Sequence, residues 1–281
     1  CTLLVGRGAN PEVASATEVR APREIGKGSA KLREYFKTVG LFLGRFSIHG
    51  GAPIHRSQTA VVVKAADVET AATVAIKFFS DGSQWRRETA ARADNALDER
   101  YVVSSTRAEE IDPNDTTLRA LKASLKGVNL GKFIIVMPAA DRSLQDIFQK
   151  ERPGLDFIRD MVREVIQCLA HVHEKGLSHG DIKMNNVVRV DEKLRLIDLD
   201  AVAKLGGEQS FIGAKFSSAV LPPEMLYRLR DDDERSAFEE YWLEEEVGDT
   251  ELWRKIAPKR DAKGGHFVVK TFRVVGDGDA P

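Results

Sequence analysis

Between Leu177 and Val188 the chain reads LSHGDIKMNNVV, which sets a histidine, an aspartate, a lysine and two asparagines between two apolar anchors. Asp181 offers a carboxylate able to orient or deprotonate a hydroxyl, and Lys183 an ammonium able to balance the charge of a transferring phosphate. Asn186 and Asp198 add two hard oxygen donors. So small a donor set suits Mg2+, which keeps its waters and shares the phosphates of a substrate. A solvated turn accounts for Asp181 or Lys183 alone. It accounts poorly for the whole set.

The elements that must position these groups are legible as periodicity. VVRVDEKLRLID (187–198) reads as a hairpin: apolar strands flank the polar turn Asp191-Glu192-Lys193, so the chain returns Asp198 to the edge that holds Asn186. FIRDMVREVIQCLAHVH (157–173) repeats apolar residues at Ile158, Met161, Val162, Val165, Ile166, Leu169 and Val172, one face of a helix. Cys168, His171 and His173 belong to its packing or rim, since residues two apart do not share a helix face that could hold a metal. Upstream, TAVVVKAADVETAATVAIKFF (59–79) predicts two strands around the turn DVETAA. QWRRETAARADNALDERY (84–101) predicts a helix marked by Trp85, Ala91 and Leu97. YVVSST (101–106) and KFIIVMPA (132–139) predict strands separated by a polar stretch. Strands with one helix therefore come first, and helical signals follow Pro138.

The 281 residues can bury a sizeable core as one large domain or two modest ones. Lys plus Arg (42) nearly cancels Asp plus Glu (43), so no overall field recruits nucleic acid or an anionic membrane surface. No apolar run approaches the ~18 residues of a membrane span, and no secretory signal pattern opens the chain. Two cysteines, Cys1 and Cys168, give no disulfide framework and fit a reducing, cytoplasmic compartment. At the start, LLVGRGANPEV (3–13) lacks the third glycine of a dinucleotide loop. It resembles the end of an ankyrin repeat over residues 1–20, which would imply a protein partner, and a plain terminal turn fits nearly as well. Residues 21–45 read as a linker ending in the helix SAKLREYFKTVGLFL.

Taken in order, four motifs resemble the eukaryotic protein kinase family over residues 50–224. HGDIKMNN (179–186) resembles the catalytic loop HRDLKPEN, and DLD (198–200) stands where DFG is expected. VAIK (74–77) is similar to the strand motif of the ATP-binding lysine, here Lys77. FIIVMPA (133–139) resembles the hinge strand, and KFSSAVLPPE (215–224) the end of an activation segment. The resemblance implies an α+β, two-lobed kinase-like fold, with an N-lobe over 46–138 and a C-lobe from 139. It implies ATP and Mg2+ as ligands and a protein as substrate. Lys77 would hold the α- and β-phosphates and pair with a helix glutamate, Glu88 or, in reserve, Glu99. Asp181 would serve the substrate hydroxyl, Lys183 the γ-phosphate, and Asn186 and Asp198 the metal. Met137 would be the gatekeeper and Ala140 the amide donor to adenine, with the Pro138 carbonyl as acceptor. Lys183, together with Ser217, resembles the serine/threonine type.

Three departures stand out. HRSQTA (55–60) replaces the glycine-rich loop, leaving His55 or Arg56 as substitute donors to phosphate. Gly180 replaces the catalytic-loop arginine on which a phosphorylated activation segment docks. Asp200 replaces the glycine of DFG, which implies a stiffer segment. Beyond Glu224, DDDERSAFEEYWLEEEVGDTELWRKI predicts an acidic helical insertion over about 228–260, with Phe238, Tyr241, Trp242 and Trp253 as packing anchors; HFVVKTFRVV predicts a strand. No DxWSxG helix follows, so a C-lobe cut short, poor stability and weak activity are expected; the chain opens on Cys1 rather than Met, so its true start is expected to lie upstream. Three readings stay open: a protein serine/threonine kinase, a small-molecule phosphotransferase sharing HGDxxxxN, and a pseudokinase scaffold favoured by the degenerate loop and DLD.

Overall fold

The computed structural model describes residues 41–48, 53–57, 59–93, 96–125, 128–205, 211–212, 221, 223–244, 253, 256–261, 264–270 and 272–273. The ankyrin-like stretch, the linker helix up to residue 40, Gly50-Gly51, and Ser217 lie outside these residues. In chain order the first half forms β1 (Phe46–Ile48), β2 (His55–Arg56), β3 (Ala60–Asp67), β4 (Thr73–Phe79), α1 (Gly82–Ala93), β5 (Arg107–Glu110), α2 (Thr116–Ser124) and β6 (Phe133–Pro138). The strands make one antiparallel sheet in the order β1-β3-β4-β6-β5, with β2 also paired to β3.

The two predicted strands of 59–79 are β3 and β4, in register from Ala60↔Phe79 to Ala66↔Thr73. The turn between them is closed by Asp67, whose carboxylate accepts from Glu69 N–H and Thr70 Oγ1. Because side chains alternate along a strand, one sheet face supplies Val61, Val63, Val74, Ile76, Phe78, Ile134 and Val136 to a dry core closed by Phe42, Phe46 and α2. Each such large side chain contributes roughly 1.5–3 kcal/mol by leaving water. The other face presents Val62, Ala75, Lys77, Ile135 and Met137 toward the second half of the chain.

The second half contributes β7 (Arg142–Ser143), a short helical stretch from Leu144 to Glu151, α3 (Leu155–Glu174), β8 (Leu177–Ser178), β9 (Val187–Val190), β10 (Lys193–Leu196) and β11 (Ala203–Lys204). It ends in β12 (Phe211–Ile212), β13 (Leu226–Arg228), α4 (Asp232–Glu244), β14 (Lys259–Arg260), β15 (His266–Val269) and β16 (Phe272–Arg273). The expected 187–198 hairpin is β9–β10, with a two-residue turn at Asp191 (φ 50°) and Glu192 (φ 61°). Positive φ at both turn residues matches the twist of the flanking strands. Val188 and Val190 pack toward the sheet, whereas Val187, Leu194 and Leu196 pack onto α3. The hairpin is thus the layer between the two lobes.

Several expectations are corrected. The helix of 84–101 ends at Ala93, and Asp98 begins a turn whose N–H donates to His171 Nε2 on α3 at 2.9 Å. That tertiary bond, together with Tyr101 stacked on His171, outweighs helix propensity there and gives His171 a packing role. YVVSST is no sheet strand: Val102 bridges in parallel to Leu196 of β10. The strand falls instead in the polar stretch, as β5, and α2 follows it, capped by the Asp115 carboxylate on Thr117 N–H and Leu118 N–H. On α3, Val162 and Ile166 are 52% and 59% exposed, so the buried stripe is narrower than the apolar pattern. On α4 Trp242 is buried, whereas Tyr241 is 51% exposed and meets the Trp242 ring only edge-on at 5.4 Å between centroids.

Candidate active site

Asp81 accepts from Ser83 N–H and starts α1 just beyond β4. The helix then presents Trp85 and Glu88 inward at i, i+3 spacing. Trp85 stacks on Phe133 and donates Nε1–H to the Ile134 carbonyl at 3.0 Å, which seats α1 on β6. Glu88 is fully buried as a result. Lys77 points from the middle of β4 to the same place, and its Nζ donates to Glu88 Oε2 at 2.7 Å. The expected partner is thus found at an eleven-residue interval, while Glu99 is exposed in the turn beyond α1.

Lys77 Nζ also donates to Asp198 Oδ1 at 2.7 Å, across 121 positions of sequence. Asp198 is brought there by the hairpin. The β9–β10 ladder runs out at Val187↔Leu196, and one further bond, Ile197 N–H to the Asn186 carbonyl at 3.0 Å, holds Asn186 and Asp198 side by side. Asp198 has left-handed backbone angles (φ 66°, ψ 66°), a conformation that costs a non-glycine residue about 1 kcal/mol or more. Burial alone would push the Lys77 ammonium down; the carboxylates of Glu88 and Asp198 outweigh it and hold it above the ordinary lysine value. For Glu88, burial pushes the carboxyl up, and Lys77 with Arg92 overcomes that push, so the net direction is down.

Asp181 is buried at the head of the same loop. Its Oδ2 accepts from Lys183 Nζ at 2.7 Å and from Asn186 Nδ2 at 3.2 Å, and Asn186 Nδ2 also donates to the Asp181 carbonyl at 2.8 Å. With its amide hydrogens committed to Asp181, Asn186 keeps its carbonyl oxygen as the atom suited to a cation. Two oxygens, from Asn186 and Asp198, fit Mg2+ only with phosphates and water completing its shell. Among the described residues no three His, Cys, Asp or Glu side chains converge as a metal site.

The hinge offers main-chain groups. Ala139 N–H is taken by the Thr73 carbonyl and Asp141 N–H by the Arg189 carbonyl. Ala140 N–H, between them, has no backbone partner among the described residues. Met137 lies opposite Ala75 on the cleft face of the sheet.

The departures also have a structure. In place of a glycine flap, β2 and β3 are joined by a tight turn in which Ser57 N–H donates to the Ala60 carbonyl and Ser57 Oγ accepts from Ala60 N–H. His55 faces Val62, and Val62 faces Lys77, so the three share the cleft face in one cross-strand row. Partial burial lowers the His55 pKa, Lys77 and Lys183 lower it further, and Asp198 opposes them. Arg56 falls in the adjacent row with Val61 and Phe78, on the opposite face, and does not join His55 in the cleft. Gly180 has φ +76°, and a Cβ added there would meet the Ala201 carbonyl oxygen at 2.3 Å. The missing arginine is therefore excluded sterically. Asp200 is buried in the 3-10 turn Leu199–Ala201, and its carbonyl accepts from Arg87 Nε of α1 at 3.3 Å. Arg87 and Arg92 carry no motif signal; only the i, i+4 spacing of Glu88 and Arg92 hinted at a role.

A two-lobed α+β fold with one lysine joined across its cleft to both a helix carboxylate and a hairpin carboxylate is a kinase-like fold. The chain matches the family model for the protein kinase domain over residues 53–241, well over half its length, and it belongs to that family. It is similar to Serine/threonine-protein kinase mph1 of Schizosaccharomyces pombe, 24% identical over 123 residues (43% of this chain, 18% of the relative). It is also similar to maternal embryonic leucine zipper kinase of Danio rerio, 34% identical over 83 residues (28% and 12%). Serine/threonine-protein kinase PknG of Mycolicibacterium smegmatis is 32% identical over 73 residues (26% and 10%). The chain spans less than a fifth of the length of these curated relatives. No helix among the described residues is long and apolar enough to cross a membrane.

Proposed function

We propose that the chain is an ATP-dependent protein serine/threonine kinase of the cytoplasm, assisted by Mg2+, with an N-lobe over 46–138 and a C-lobe from 139. The observation that carries this reading is the Lys77 ammonium held 2.7 Å from both Glu88 and Asp198. Lys77 binds the α- and β-phosphates while Glu88 keeps it aimed. Asn186 and Asp198 would hold Mg2+, which when bound neutralises phosphate charge. The Pro138 carbonyl and Ala140 N–H read the adenine edge in front of Met137, and His55 covers the phosphates from β2. Arg56 is left out of the set.

Asp181 accepts a hydrogen bond from the hydroxyl of a serine or threonine and orients its oxygen toward the γ-phosphorus. As the new O–P bond forms, the bond to the β,γ-bridging oxygen breaks, ADP leaves, and the hydroxyl proton passes to Asp181. Lys183, paired with Asp181 at 2.7 Å, balances charge on the moving phosphoryl group. The serine/threonine assignment draws support from Lys183 in the loop and from the names of two relatives. A non-catalytic scaffold is the second reading, favoured by the glycine-free β2–β3 turn. Transfer of radiolabelled phosphate from ATP to a generic basic protein tests the choice. Transfer by the natural chain that is lost in Asp198→Ala supports the kinase; equal background in both supports the scaffold.

A further inference from the structure

Arg92 lies one turn beyond Glu88 on α1, and its side chain is only 8% exposed. Its Nη2 donates to Glu88 Oε1 at 2.9 Å and reaches Met137 Sδ at 3.7 Å, while Nη1 donates to the Val103 carbonyl. Glu88 therefore holds one cation on each oxygen: Lys77 on Oε2 and Arg92 on Oε1. Burying a guanidinium is costly unless its charge and donors are matched. Holding phosphates makes no use of this one.

We propose that Arg92 is a positioning residue, the standing counter-ion of Glu88, which clamps α1 to the back of the hinge strand. It keeps Glu88 compensated and α1 docked when the Lys77 ammonium is drawn onto the phosphates of a nucleotide. This rests on the reading of Lys77 as a phosphate-holding residue and deepens it. A lysine that alone neutralised a buried carboxylate would leave a bare charge on every such excursion. The arginine's planar fork also spans three anchors at once: a carboxylate, a carbonyl and the gatekeeper sulfur. The engaged position of α1 is thereby built into the chain, with no arginine at position 180 to set it through an incoming phosphate. Arg87, bonded to the Asp200 carbonyl, pulls on α1 in the same sense.

The test is a set of thermal melts of the full chain without nucleotide: the natural sequence, Lys77→Met, Arg92→Met, Arg92→Lys, the pair Lys77→Met/Arg92→Met, that pair with Glu88→Gln added, and the second pair Lys77→Met/Arg92→Lys. Either methionine alone leaves Glu88 one cation, so each lowers Tm by a few degrees. The pair leaves a bare buried carboxylate and loses roughly 6–15 °C beyond the sum. Glu88→Gln then recovers most of that excess, and Arg92→Lys melts nearer the natural chain than Arg92→Met. If the pair does not fold while Lys77→Met/Arg92→Lys does, the proposal stands. Additive losses, no recovery from Glu88→Gln, or failure of both pairs to fold overturns it. A parallel melt of the natural chain with Mg·ATP reads the nucleotide assignment separately: absence of a shift removes that assignment, and the melts without nucleotide still decide whether Arg92 is Glu88's counter-ion.

Discussion

Lys77 and Asp198 sit 121 residues apart in sequence and 2.7 Å apart in space. The sheet supplies one and the interlobe hairpin the other, so the pair exists only when both lobes are folded against each other. A phosphate entering this cleft meets a preformed cation flanked by two carboxylates. One of these, Glu88, is fully buried, and the other, Asp198, is 22% exposed.

Asp181→Asn keeps the shape of the loop and its bond from Asn186 while removing the basic oxygen. We expect kcat to fall by about 10²–10⁴ with ATP affinity changed by less than about twofold. Steady-state kinetics with varied ATP check this. A parallel loss of ATP affinity would assign Asp181 to binding instead.

His55 and Arg56 are neighbours with different faces. His55→Ala is expected to weaken ATP binding about 3- to 10-fold, the net loss of one hydrogen bond, and Arg56→Ala to change it by less than about twofold. Titration calorimetry on both variants decides it, and equal effects would contradict the cross-strand row.

Gly180→Ala introduces a Cβ into a left-handed backbone 2.3 Å from the Ala201 carbonyl oxygen. The expected cost is at least about 2 kcal/mol, or a Tm lowered by roughly 4–8 °C. Gly180→Arg should be no better tolerated. A melt unchanged in both would show that the loop tolerates a side chain at position 180.

Much of this was legible in the sequence, for identifiable reasons. α3 and β10 carry the period that one buried face imposes, whereas β3, β4 and β9, packed on both faces, show as short β-branched apolar runs beside turn residues. β5 was not legible, because RAEE is an edge strand half in solvent and is held by its backbone bonds to β6. The end of α1 was hidden as well, since the Asp98–His171 bond that redirects the chain spans 73 residues. α2 is missed in the stretch that reads as polar, although Asp115 followed by Leu118, Leu121 and Leu125 offers a cap and an apolar stripe that signal it. Arg92 was not legible: an i, i+4 pair reads as a surface ion pair until its burial is known. Val162 and Ile166 show the opposite failure, an apolar pattern wider than the contact it makes.

Asp67 gives a pH dependence with a definite sign. Burial pushes its carboxyl up, but the bonds from Arg45 at 2.9 and 2.7 Å and from Thr70 at 2.6 Å overcome this and lower it to about 2. A folded value below the unfolded one stabilises fully above pH ~4, and that contribution is lost as pH falls toward 2. Chemical denaturation should therefore show the stability gap between the natural chain and Asp67→Asn narrowing by about 1–2 kcal/mol from pH 5.5 to pH 2.5. A gap constant across that range would contradict the assignment.

The most direct measurement is calorimetric titration of ATP with and without Mg2+ into the natural chain, Lys77→Met and Asp198→Ala. The account expects Mg2+ to tighten binding to the natural chain at least about tenfold, Asp198→Ala to lose that metal dependence, and Lys77→Met to weaken binding in either condition. ATP binding that is absent, or that is the same in all three chains with and without Mg2+, would contradict it.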